Sequence, residues 1–242
     1  MRFYIFFILS LGLATAAVET TPETAQLRFR TLACFGTVAP EIYYQNKPNQ
    51  YQLIVSETNG RSPFYNLYAV RDSITFYTKT KDPQTGKDRF VPATSIDIKG
   101  KGLTPLLLFF ASRDQPSGFS ILALADDPEK LPPGHFQYVN LTTRAIRLLL
   151  NQEKVTINAG ESLIAPPPSG GSTVNVAMAV YNEDSPVLLY SNIWPKQIQL
   201  RNLVLIYLSS ETASGFSVKR LTDYPIAWKP QPAAGKPVGQ GL

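Results

Sequence analysis

The side chains best suited to hold a ligand are aromatic. Trp194 and Trp228, with the adjacent pair Tyr43 and Tyr44, could stack against a sugar ring or a peptide, because each joins a broad apolar face to a polar tip. Phe64-Tyr65 is a second such pair. The competing reading places these rings in a core or between domains.

Acid–base chemistry has little to work with. His135 is the only histidine, so no Ser-His-Asp set can be assembled around a chosen serine. Its setting after Pro132-Pro133-Gly134 suits a hinge or a solvated position. Asp126-Asp127-Pro128-Glu129 and Glu183-Asp184 are the densest carboxylate clusters. Paired carboxylates could cleave a glycoside if a cleft held them roughly 5–9 Å apart. Calcium loops place their acids at alternate positions, which neither cluster does, and both fall where turns are expected. No GxSxG, HExxH, Walker loop or GxGxxG occurs. No metal and no cofactor are therefore expected. The chain reads as a non-enzyme, with a carboxylate hydrolase the least favoured alternative.

Cys34 stands alone, so no disulfide can close within the chain. A small buried strand residue is expected; a bridge to another molecule or a reactive thiol is the alternative. Lys and Arg number 23 against 18 Asp and Glu, a net charge of +5 that is spread thinly. Its clusters are no larger than pairs such as Lys99-Gly100-Lys101, so nucleic acid is not an expected partner. Asn140-Leu141-Thr142 forms one N-glycosylation sequon.

The elements that must position these residues begin after a leader. Met1-Arg2 is positive, Phe3 to Leu13 is apolar but for Ser10, and Ala14-Thr15-Ala16 has the small-x-small form of a cleavage site. That is the three-part pattern of a signal peptide over 1–17. Export to a periplasmic or extracellular space follows. No later run is long enough to span a membrane as a helix, so a mature chain without a transmembrane segment is expected.

A search for self-similarity finds a duplicated unit. Residues 103–128 and 200–225 align without a gap at a shift of 97. Identities include Leu106/Leu203, Leu108/Leu205, Ser117/Ser214, Gly118/Gly215, Phe119/Phe216, Asp126/Asp223 and Pro128/Pro225. Short runs of strand character separated by Asn, Asp, Gly and Pro fill the remainder, and 17% charged residues with 44% hydrophobic ones exclude a disordered chain or a coiled coil. A short helix at 141–150 is the one competing local reading.

Together these features predict an all-β protein of two tandem, internally duplicated sandwiches, Ig-like or jelly-roll-like. The first spans 18–130, with a polar insert near 79–94 that the second copy lacks. The second spans 134–225, and 226–242 is a Pro, Gly and Ala-rich tail expected to be disordered.

The runs 105–111 and 202–209 are apolar on both faces, whereas a strand with one wet face alternates. Each run therefore needs a second cover. The pattern predicts a face-to-face contact between the copies about a pseudo-two-fold axis, with Phe109 and Ile206 at the contact. The function expected is binding or structural, toward an envelope or extracellular partner, glycan or protein. A carbohydrate- or peptide-binding module is the sharper form of that expectation.

Overall fold

The computed structural model describes residues 25–34, 41–55, 57–68, 72–111, 115–182, 185–208 and 215–226. The expected leader, Trp228, the tail beyond Ile226 and the pair Glu183-Asp184 lie outside these residues. Among the described residues every regular element is a strand, and no helix is long and apolar enough to cross a membrane.

The first half contains β1 (Leu27–Ala33), β2 (Ile42–Lys47), β3 (Gln50–Ile54), β4 (Tyr65–Leu67), β5 (Ser73–Lys81), β6 (Asp88–Asp97), β7 (Leu106–Ala111) and β8 (Phe119–Leu124). The second contains β9 (Phe136–Asn140), β10 (Ile146–Leu150), β11 (Glu153–Ile157), β12 (Ser162–Ala165), β13 (Thr173–Asn182), β14 (Ser185–Pro195), β15 (Arg201–Leu208) and β16 (Phe216–Asp223). The 141–150 segment ends in strand β10, its β-branched opening and alternating burial favouring the sheet.

The duplication extends to topology. Sheet β4-β1-β7-β8 has the same order as β12-β9-β15-β16, and β3-β2-β5-β6 the same as β11-β10-β13-β14. Even the parallel pair recurs, β1 beside β7 and β9 beside β15. The shared Gly-Phe-Ser turn serves both copies: Gly118 and Gly215 sit at φ of 76° and 71°, where a Cβ would be strained.

Three cores stack these sheets into layers. Phe29, Tyr65, Leu107 and Phe109 meet Ile42, Tyr44 and Phe76 inside the first sandwich. Phe136, Tyr138, Val204 and Ile206 meet Leu148, Val176 and Met178 inside the second. Leu32, Cys34, Leu106, Leu108 and Leu124 meet Val139, Leu203 and Leu205 in a third core, where the two inner sheets face each other.

The contact between copies is therefore present, but through the opposite side of each strand from the one expected. Phe109 and Ile206 point into their own sandwiches, and Leu106, Leu108, Leu203 and Leu205 make the contact.

The segment 79–94, expected to carry an insert, is a continuous hairpin with Lys81 paired to Asp88 across the turn. Part of the extra length of the first copy does lie at this turn, because Lys81 pairs with Asp88 across 82–87 where Asn182 pairs with Ser185 across 183–184 alone; the rest lies elsewhere. Leu27 and Phe136 open equivalent strands 109 positions apart, Gln50 and Glu153 lie 103 apart, and Tyr65 and Ser162 lie 97 apart. The first copy is thus longer between β1 and β2 and again between β3 and β4. The polar, turn-rich look of 82–87 reflects the hairpin turn itself, where Asp82 accepts from the backbone of Gln84 and Thr85.

Burial of ionisable groups has a consequence in alkali. Desolvation pushes the Cys34 thiol up to about 12 and drives the Tyr44, Tyr65 and Tyr138 phenols upward from their usual 10.0. Each is neutral when protonated, so folding holds the proton on. Their stabilisation is complete below the unfolded values and is lost as pH rises toward the folded ones. Thermal melts between about pH 8 and 10.5 are expected to show a steady fall in Tm beginning near 9, delayed in Cys34→Ala. A Tm that is level across that range contradicts the burial of these groups.

Candidate functional site

The four aromatics named from sequence part company. Tyr44 is 0% exposed in the first core, where its hydroxyl donates to Gln52 Oε1 at 2.7 Å. Trp194 is 5% exposed, stacked with Phe136 and Tyr138, and its Nε1–H donates to the Tyr190 hydroxyl at 3.1 Å. The Arg220 guanidinium lies 5.0 Å above the Trp194 ring, so the protein's own cation covers it. Burial withdraws both residues from any stacking surface. Trp228 lies outside the described residues. Tyr43 is the one that faces outward.

Tyr43 does not stand alone. β2 pairs with β5 so that Tyr43 lies opposite Tyr77 on the solvent side of the outer sheet. Tyr51 on β3 and Phe90 on β6 belong to the two edges of that sheet. They nevertheless stack at 4.1 Å with planes 9° apart. The sheet must curl for its edges to approach so closely, and a bulge at Phe76/Tyr77 marks the bend. Tyr43 meets Phe90 edge-on at 5.0 Å, and Tyr51 meets Tyr77 edge-on at 4.9 Å. The result is a half-buried cluster of four rings outside the main core.

The rim is polar. Tyr43 donates to Glu41 Oε2 at 2.9 Å, a bond that raises its pKa by favouring the protonated phenol. Lys79 and Lys81 both hold Asp88, which lowers the Asp88 carboxyl and raises Lys79. Leu53, 41% exposed, lies opposite Tyr43 and adds apolar area.

The carboxylates take a structural place. Asp126 and Asp223, equivalent in the two copies, are brought together by arginines. Arg61 holds Asp126 at 2.9 Å and Asp223 at 3.0 Å, and Arg201 holds them at 3.1 and 2.9 Å. Arg30 reaches Asp223 at 3.5 Å, and Arg201 Nη1 also donates to the Asp126 carbonyl. Each of the four carboxylate oxygens is engaged by a guanidinium. A hydrolase would need one of them turned toward a substrate. Burial alone would lower the Arg201 pKa, but Asp126 and Asp223 outweigh it and the net direction is upward. Among the described residues no group of three or more His, Cys, Asp or Glu is placed to hold a metal.

The remaining candidates are structural as well. His135 Nδ1 lies 3.2 Å from the Pro133 carbonyl, and the His135 carbonyl accepts from Asn202. The sequon asparagine is buried: Asn140 Nδ2 donates to the carbonyls of Arg144, Ile157 and Asn158. A glycan on that nitrogen is incompatible with the fold. Cys34 is 2% exposed within the third core.

Sequence reasoning missed Tyr51, Tyr77 and Phe90 as partners of Tyr43. Their signal was cross-strand: three separate strands each place a ring on the same face, which only the pairing registers bring together.

No protein-family model matches the chain, and no curated protein matches it. Among solved structures it is similar to the two C2 domains, A and B, of Extended-Synaptotagmin 2, with 11% identity over 93% of this chain and 100% of that one. The TM-score is 0.24, a superposition too loose to bear on function.

Proposed function

We propose that this chain is an exported, non-catalytic binding protein that holds a polysaccharide against the outer aromatic face of its first sandwich. One observation carries the reading. Tyr43, Tyr51, Tyr77 and Phe90 cluster on the solvent side of a sheet whose other side already makes a full core. A sugar offers C–H groups to stack and hydroxyls to hydrogen-bond. The rings supply the first partner, and Glu41, Lys79 and Asp88 on the rim supply the second. The leader pattern Phe3 to Leu13 with Ala14-Thr15-Ala16 supports export, and hence an envelope or extracellular partner.

Affinity electrophoresis through gels of soluble envelope polysaccharides, with a glycan array beside it, is the test. At least one glycan is expected to retard the wild-type chain. Tyr51→Ala and Phe90→Ala should each weaken retardation about two- to tenfold, from ~0.5–1.5 kcal/mol per aromatic contact. Trp194→Phe changes only the second core and should leave retardation unaltered. If no glycan retards the chain, or Tyr51→Ala runs like wild type, the reading fails.

A further inference from the structure

The outer sheet of the second sandwich carries a different surface. On its solvent side the central strand β13 presents Ala177 and Ala179, short side chains between longer ones. Arg147 and Leu149 on β10 form one wall, and Pro186 and Leu188 on β14 form the other. The two methyl groups leave a trough of about 300 Å³ along the strand, at the small end of the range for ligand pockets. Leu188 is 61% exposed, so the apolar wall faces water.

The trough is polarised across its width. Lys154 and Thr156 on β11 extend the Arg147 side, while the β14 side is aliphatic. The Arg147 guanidinium is steadied 3.8 Å above the Tyr181 ring. Among the described residues no acidic side chain lines the trough, and neither Arg147 nor Lys154 has a carboxylate within ion-pair distance. The floor also limits what can lie on it. β10 is paired on both sides, to β11 and β13, and β13 to β10 and β14. Their backbone groups are spent in ladders. A peptide laid along the alanines would bury its own amides against apolar side chains without partners, which is costly. A hydrocarbon chain has no such groups.

We propose that this trough binds a free single-chain anionic amphiphile, a long-chain carboxylate. Its hydrocarbon lies on Ala177 and Ala179 against Leu188, and its carboxylate sits between Arg147 and Lys154. Charge complementarity selects the head and the apolar floor selects the tail. The site is independent of the aromatic face, so either can fail alone.

Fluorescence titration of the full chain with dansylaminoundecanoic acid tests this. Saturable one-to-one binding with a blue shift is expected. Ala179→Leu fills the trough and should weaken it about tenfold or more, the effect of roughly 1.4 kcal/mol. Because a core-side shift could disturb β13, the surface double variant Arg147→Gln/Lys154→Gln is measured too, with the same expected loss. The methyl ester of the probe should bind about tenfold more weakly to wild type and equally to the double variant. Tyr51→Ala should bind the probe as wild type does. Absence of saturation, an ester that binds as well as the acid, or variants indistinguishable from wild type overturn the proposal. Displacement of the probe by an acidic peptide but not by oleate, or uptake only onto anionic phosphatidylglycerol vesicles, overturns it in favour of those partners.

Discussion

Leu205→Lys is expected to part the two sandwiches while leaving each one folded. Leu205 is 1% exposed in the core between the inner sheets, beside Leu203, Leu108 and Leu106. Losing its burial costs about 1.5–3 kcal/mol, and a buried ammonium without a partner adds several kcal/mol more. The side chain can escape that cost only if the sheets separate. The cores on either side do not contain Leu205, so they need not follow.

Cys34 is a built-in reporter of the separation. It belongs to the same core, and its thiol is pushed up to about 12 by burial, so at neutral pH it is neither accessible nor ionised. A disulfide reagent at pH 8 is expected to leave wild-type Cys34 unlabelled for hours and to label Leu205→Lys within minutes. Trp194, inside the second core, should keep its emission in a Trp228→Phe background. Ile206→Lys, one residue on, points into that core and should abolish the Trp194 signal instead. Unchanged labelling in Leu205→Lys, or loss of Trp194 emission in step with it, would show that the third core is not a separable interface.

That one-residue difference marks how far the sequence could be read. Two strands apolar on both faces said that the copies must meet, but period-2 alternation cannot choose a face when both are apolar. A signal for the choice did exist. Leu106/Leu203 and Leu108/Leu205, which make the contact, are identical between copies, whereas Leu107/Val204 and Phe109/Ile206, which fill the separate cores, are not. The contact residues and their duplicates fill one shared core, so a change in either copy is felt by both.

The aromatic assignments failed and succeeded by the same parity. Tyr43 and Tyr44 are neighbours on opposite faces of β2, and only the pairing of Ile42 and Tyr44 with the core decides between them. The charged residues were the least legible. A net charge spread thinly along the chain concealed that Arg30, Arg61, Arg201, Asp126 and Asp223, almost two hundred positions apart at the extremes, converge on one spot.

At that spot Asp126→Asn is expected to be among the most damaging single substitutions. The Asp126 side chain is 1% exposed, and the two guanidiniums it holds are 2% exposed. Three arginines already face two carboxylates, a formal excess of one positive charge. Asparagine preserves the shape and doubles the excess. Breaking a buried pair this way costs about 3–5 kcal/mol, because the orphaned cation stays buried. At ~2–4 °C per kcal/mol for a chain of this size, Tm should fall by roughly 10 °C.

Asp223 shares Arg61 and Arg201 with Asp126 and adds the longer contact to Arg30, but it is 23% exposed, so water can replace part of what Asp223→Asn removes, and its loss should be smaller. Arg201→Met in the Asp126→Asn background removes one stranded cation and leaves Arg61 paired with Asp223. The double variant should therefore be more stable than Asp126→Asn alone. Arg61 comes from the β3–β4 connection, where the first copy is longer than the second. The added residues thus bring a cation across to both halves, and shortening 57–62 to the length of the second copy should weaken the pair without touching either sandwich core. Equal losses in Asp126→Asn and Asp223→Asn, or no recovery on adding Arg201→Met, would mean that the arginines are not held by charge and that the apolar core between the inner sheets joins the halves unaided.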